Sequence, residues 1–125
     1  MLGYIRAGIP LDAVEEILDY EEVDPAMAAK GDLFALRVKG DSMEPRIREG
    51  DVIICAETPC VESGTVAVVL VNGNEATVKK VVKHKEGLSL VAFNPAYSPM
   101  FYTNEECETL PVRIVGRVIE LRGKF

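Results

Sequence analysis

Positive charge is in short supply in this chain. Fourteen Lys and Arg stand against 20 Asp and Glu, for a net charge of −6. A surface that grips DNA or RNA phosphates must be basic, so this segment is not expected to bind nucleic acid itself. No local cluster reverses that: Arg37, Lys39, Arg46 and Arg48 are interleaved with Asp41, Glu44, Glu49 and Asp51. Histidine occurs once, as His84, in the charged stretch Lys83-His84-Lys85-Glu86-Gly87, and reads as a solvated turn residue. Cysteine is scarce and odd in number: Cys55, Cys60 and Cys107 contain no Cys-x-x-Cys pair. One histidine and three scattered cysteines do not make a four-ligand zinc site. No metal and no cofactor is therefore expected. The thiols read as reduced, with Cys55 and Cys107 as small apolar residues in or near strands. Long apolar runs are missing as well. The longest, Val66 to Val71, has six residues, against about 20 for a membrane-spanning helix. Met1 to Ala7 is too short and too polar for a signal peptide. Together these absences predict a cytoplasmic protein with no membrane partner. Tryptophan, internal repeats and low-complexity stretches are absent too.

What is present is globular. The chain has 125 residues, 48% hydrophobic and 27% charged, enough for one domain with a real core. Residues 1–32 are the least regular. Leu11, Val14 and Leu18 have helical spacing, with an extended arm as the competing reading, and Asp24-Pro25 closes the segment. From Leu33 the pattern is β. Phe34, Leu36 and Val38 alternate with Ala35, Arg37 and Lys39 as a half-buried strand that Gly40-Asp41 breaks. Met43 to Ile47 fits about one helical turn, with Pro45 tolerated because first-turn amides have no intrahelical partner. Further strands are expected at Val52–Ala56, Thr65–Val71, Glu75–Val82, Leu88–Phe93 and Val112–Leu121. Asn72-Gly73-Asn74 marks a hairpin, because both Asn and Gly accept positive φ. Gly116 marks a bulge or bend in the last strand. Short strands punctuated by turns predict a mostly antiparallel β fold that curls on itself, with a short helical turn after Ser42.

Two residues stand out chemically. Ser42 follows a strand end and a Gly-Asp turn, which on its own describes an ordinary turn or cap residue. A strand that stops abruptly and enters a helical turn also exposes the hydroxyl and aims backbone N–H groups outward. The amides of Asp41 and Ser42 could then hold a developing oxyanion. Lys79 and Lys80 lie in an apolar strand, where a lysine usually faces solvent. Thr77, Lys79 and Val81 share one face, Val78, Lys80 and Val82 the other. Periodicity does not choose between the two, although one face must be the more buried. A buried amine loses hydration of its charge, its pKa falls, and the neutral form can take a proton from a serine. That pairing would be a Ser-Lys hydrolase site. A His-based triad has nothing to bring His84 near Ser42. Ala7-Gly8, small on both sides and stiffened by Pro10, would enter a narrow cleft easily, although alone it reads as linker.

These elements, in this order, resemble the self-cleaving domain of LexA-type repressors, a family that includes phage repressors and the mutagenesis protein UmuD. Ala7-Gly8 resembles the scissile bond, followed by a proline-containing arm and Val23-Asp24-Pro25. Leu36 to Met43 resembles the strand and Ser-Met motif of the nucleophile, and Glu49-Gly50-Asp51-Val52-Ile53 the strand start that follows. Thr77-Val78-Lys79 resembles the motif of the base, which selects Lys79 over Lys80. Val115-Gly116-Arg117-Val118 resembles the closing strand. The resemblance implies an arm (residues 1–32, preferably extended) and a β-rich peptidase and dimerisation domain (residues 33–125). In that scheme Ser42 attacks Ala7 and Lys79 serves as base. It further implies a homodimer, with residues 112–121 in its interface, and a RecA filament on single-stranded DNA as the activating partner in the DNA-damage (SOS) response. Full-length repressors carry an N-terminal helix-turn-helix for DNA, and none fits into residues 1–6. A fragment of a repressor is therefore the favoured expectation. A UmuD-like polymerase accessory and a non-catalytic dimerisation module are the alternatives.

Overall fold

In the computed structural model, which describes residues 33–38, 40–72 and 75–123, the apolar alternation resolves into seven strands and one helix. The strands are β1 (Leu33–Arg37), β2 (Val52–Glu57), β3 (Thr65–Val71), β4 (Glu75–Lys83), β5 (Gly87–Val91), β6 (Met100–Thr103) and β7 (Val112–Arg122). Helix α1 spans Asn104–Thr109. The strands form one sheet in the order β1-β2-β7-β3-β4-β5-β6, with every neighbour antiparallel. Ala7-Gly8 and the Leu11–Leu18 segment lie outside the described residues.

The last strand of the chain sits at the centre of the sheet, between β2 and β3, and needs a special residue there. Gly116 lies beneath the Phe34 ring, and a Cβ at 116 would stand 2.6 Å from Phe34 Cζ. The β3–β7 register also slips at this point. Val68 pairs with Gly116 and Val69 with Ile114, so Val115 is the extra residue of a bulge.

Both faces of the sheet are covered. Phe34, Leu36, Met43, Ile53, Val68 and Val115 pack on one side, and Ala67, Val69, Val81, Leu90, Val112 and Ile114 on the other. The alternation within β3 shows the split, since Ala67, Val68, Val69 and Leu70 are all buried but serve opposite clusters in turn. Strand β4 inherits this, with Val78 packing against the first cluster and Val81 lying in the second. Apolar neighbours thus cover both sides of β4, and of its two faces the one carrying Thr77, Lys79 and Val81 is the more buried, as expected: Lys79 and Val81 are buried, whereas Val78, Lys80 and Val82 are half-buried.

Residues 41–47 form a turn with a single α-type hydrogen bond, Ile47 N–H to Met43 O at 2.9 Å, and Glu44–Pro45 is cis. No apolar alternation marks β6, and no apolar periodicity marks α1. The helix is announced only by its capping box: Thr103 Oγ1 accepts from Glu106 N–H, while Glu106 Oε1 accepts from Thr103 N–H. Cys107 lies on this helix, half-buried.

Candidate active site

Ser42 is presented by a braced turn. Gly40 has φ +82°, a conformation that a side chain would resist, and it sends the chain sharply away from β1. The Glu49-Gly50-Asp51 turn then straps down the same stretch. Gly50 N–H donates to Val38 O, Val38 N–H donates to Asp51 O, and Glu49 Oε1 accepts from Gly40 N–H. Asp51, itself buried, also accepts from Arg48 N–H through its carboxylate. Met43, beside the nucleophile, is 2% exposed and anchors the turn in the core.

Lys79 meets this turn. Its Nζ lies 3.0 Å from Ser42 Oγ and 2.7 Å from Thr77 Oγ1, and the residue is only 9% exposed. Thr77 and Lys79 share a face of β4, so the threonine hydroxyl holds the amine from beneath while the serine meets its tip. Lys80 points the other way. It lines a separate hollow with Arg46, Phe93 and Ile119, where the Arg46 guanidinium rests over the Phe93 ring at 5.6 Å. The two lysines thus differ in position: one reaches the serine and the other lines a separate hollow.

A cleft of about 320 Å³ opens beside the pair, with apolar walls from Leu36, Val38, Met43, Val78 and Met100 and a polar edge at Tyr97. The backbone N–H groups of Asp41, Ser42 and Met43 form no hydrogen bond among the described residues. Three successive free donors at a nucleophile are the raw material of an oxyanion site. They include the two expected from sequence, Asp41 and Ser42.

His84 takes no part. It is exposed, closes a turn with Gly87, and its Nε2 lies 2.9 Å from Ser89 Oγ. Two residues that belong to no recognisable motif also reach the site. The Tyr97 hydroxyl donates to Asp41 Oδ1, and Asn94 Nδ2 donates to Asp41 O at 3.0 Å. The Asp41 carboxylate, by accepting that bond and by its charge, holds the Tyr97 phenol above its ordinary pKa. Burial pushes the Cys55 thiol up to about 12, so this cysteine is core rather than nucleophile.

A seven-stranded antiparallel sheet that brings a turn-borne serine against a buried strand lysine has the make-up of a peptidase domain. The chain belongs to the S24-like peptidase family, whose model, described as "Peptidase S24-like", matches residues 1–119. It is 43% identical over 125 residues to the LexA repressor of Syntrophobacter fumaroxidans (strain DSM 10017 / MPOB), covering 99% of this chain and 57% of that protein. It is 36% identical over 123 residues to the LexA repressor of Ruegeria sp. (strain TM1040), covering 97% of this chain and 49% of that protein. The chain thus spans about half the length of these relatives.

Proposed function

We propose that this chain is the self-cleaving domain of a LexA-like repressor and that Ser42 and Lys79 hydrolyse the Ala7–Gly8 bond of their own chain. The observation that carries the reading is the 3.0 Å approach of Lys79 Nζ to Ser42 Oγ in a site where the lysine is almost wholly buried. Burial disfavours the ammonium and favours the amine, which is the form able to act as a base.

Ser42 Oγ attacks the Ala7 carbonyl carbon as its proton passes to Lys79 Nζ. The N–H groups of Asp41 and Ser42 receive the oxyanion. Collapse of the tetrahedral intermediate breaks the Ala7–Gly8 bond, and the leaving Gly8 nitrogen takes the proton from Lys79. The Ser42–Ala7 ester is then hydrolysed by a water that gives its proton to the same amine, returning the serine and releasing an Ala7 carboxylate. Gly8 and Leu33 are 25 residues apart, a tether that can span about 80 Å when extended. The chain can therefore supply its own substrate at high effective concentration.

The names of the relatives support transcriptional repression as the setting. In that setting a helix-turn-helix domain binds DNA, a RecA filament favours the docked arm in the SOS response, and the protein is cytoplasmic. A homodimer finds support in β7. Its pairing with β3 stops at Arg117, whereas its pairing with β2 runs to Arg122. One edge of residues 118–121 therefore has no strand against it among the described residues, and an open edge is a template for a second copy.

The test is incubation of the purified chain at about pH 10, near the free lysine pKa, with mass spectrometry over time. A product that begins at Gly8 is expected. Ser42→Ala and Lys79→Ala should slow its appearance by about a thousandfold or more, while His84→Ala should leave it unchanged. An intact wild-type chain at every alkaline pH at which it remains folded rules the proposal out.

A further inference from the structure

The turn that carries Ser42 is held from a second direction, by the β5–β6 connection. Asn94 commits three groups there. Its Nδ2 donates to Asp41 O and its own N–H donates to Ser42 O, both at 3.0 Å. Its Oδ1 accepts from Ala96 N–H at 2.9 Å, which fixes the side chain. Tyr97 N–H donates to Asn94 O, and the Tyr97 hydroxyl reaches across to Asp41 Oδ1. Two residues separated from Asp41 by 53 and 56 positions thus close on one peptide segment.

The direction of these bonds matters. In a trans peptide unit the C=O and N–H point opposite ways. Asn94 pins the carbonyls of Asp41 and Ser42, and so turns the N–H groups of Ser42 and Met43 away from itself. Both residues line the cleft, and neither N–H is spent on a partner among the described residues.

We propose that Asn94 and Tyr97 are positioning residues that fix the peptide unit between Asp41 and Ser42, and with it the aim of Ser42 N–H and Ser42 Oγ. This rests on the Ser42–Lys79 reading above. Both side chains bond to Asp41, and the Asn94 backbone bonds to Ser42 O, so their effect is on geometry at the nucleophile rather than on the amine. The raised Tyr97 pKa, owed to Asp41 first and to the Glu44 charge in lesser part, keeps the phenol a donor into the alkaline range where the reaction is assayed.

The experiment uses the whole chain and follows self-cleavage against pH for wild type, Asn94→Ala, Tyr97→Phe, Asp41→Ala and the Tyr97→Phe/Asp41→Ala double variant. Labelling of Ser42 by a fluorophosphonate, which needs no arm, and thermal unfolding are measured alongside. Each single variant should lower the plateau rate and the labelling rate about tenfold, the scale of one lost hydrogen bond. The midpoint of the pH profile should stay in place. The double variant should be no slower than Asp41→Ala alone, because the two changes delete one interaction. The proposal is overturned by wild-type plateaus, by a shift of midpoint without loss of plateau, or by losses that only track a fall in unfolding temperature. Should Asn94→Ala fail to fold, Tyr97→Phe, which removes a single exposed hydroxyl, decides alone. A wild-type chain that neither cleaves nor labels fells the peptidase reading and this one together. A cleaving wild type with unaffected variants fells this one only.

Discussion

Among the described residues, the hydroxyls of Ser42 and Thr77 both meet Lys79 Nζ, and they have different jobs. Ser42 Oγ is the atom whose proton must move, while Thr77 Oγ1, at 2.7 Å, holds Nζ in place. A lysine side chain has four rotatable carbons and loses considerable rotamer entropy when fixed. A second hydrogen bond from the same strand face fixes it before the substrate arrives. Thr77→Val keeps the shape and removes only the hydroxyl. It should slow self-cleavage about tenfold while shifting the unfolding temperature little, as followed by product formation and thermal melts. A rate equal to wild type would deny Thr77 this role. Lys80 supplies the contrast at the same scale, because its adjacent ammonium lies on the opposite face of β4, beside Arg46 and Phe93. Pattern alone did not separate the two, since Val78 and Val81 give both faces of β4 apolar neighbours. Similarity to a known motif separated them, and the 3.0 Å approach to Ser42 supports that choice.

At the scale of elements, β7 bears the most constraint, since it pairs on both sides and bulges at Val115. Gly116 makes this feasible by leaving room for the Phe34 ring beside the backbone. A methyl group at 116 would press on Phe34 Cζ and Cε1 at 2.6 and 2.8 Å, and Phe34 is itself 4% exposed with little room to retreat. Gly116→Ala should therefore destabilise the domain by about 1–3 kcal/mol, the usual cost of overpacking. Phe34→Leu in the same chain should recover part of that loss. Urea unfolding of the two variants checks this, and equal stability of Gly116→Ala and wild type would refute it. The turns were the most legible elements. Strand β3 has the expected bounds, Thr65–Val71, because Gly64 and the Asn72 turn delimit it by backbone geometry that the residues themselves dictate. The β6–α1 stretch was not read, although Thr103 and Glu106 spell a capping box. A four-residue strand with exposed Met100 and Phe101 offers no alternation to detect. The Asn94–Asp41–Tyr97 contacts were beyond reach for a different reason. They join parts of the chain more than 50 residues apart, and only the tertiary fold brings them together.

For the molecule as a whole, alkaline pH acts on folding as well as on chemistry. Cys55 is fully buried in β2, and burial raises its thiol from 9.0 to about 12. In the unfolded chain the thiol ionises near 9.0, whereas in the folded chain it stays protonated until about 12. Between those values the folded state binds the extra proton. Stability is therefore intact below pH 9 and falls as pH rises, by about 1.4 kcal/mol per pH unit for one such group. The Tyr97 phenol, raised by Asp41, contributes in the same direction. This window overlaps the conditions in which a lysine amine becomes neutral, so a fall in self-cleavage above its optimum would report unfolding rather than loss of the base. Cys55→Val removes the titrating group and keeps an apolar side chain of similar size. Denaturant midpoints measured from about pH 8 to about pH 10.5 should decline more steeply for wild type than for Cys55→Val, whatever offset the substitution brings at neutral pH. The variant should also sustain cleavage further into the alkaline range. Parallel pH profiles for the two proteins would show that the buried thiol does not couple folding to pH.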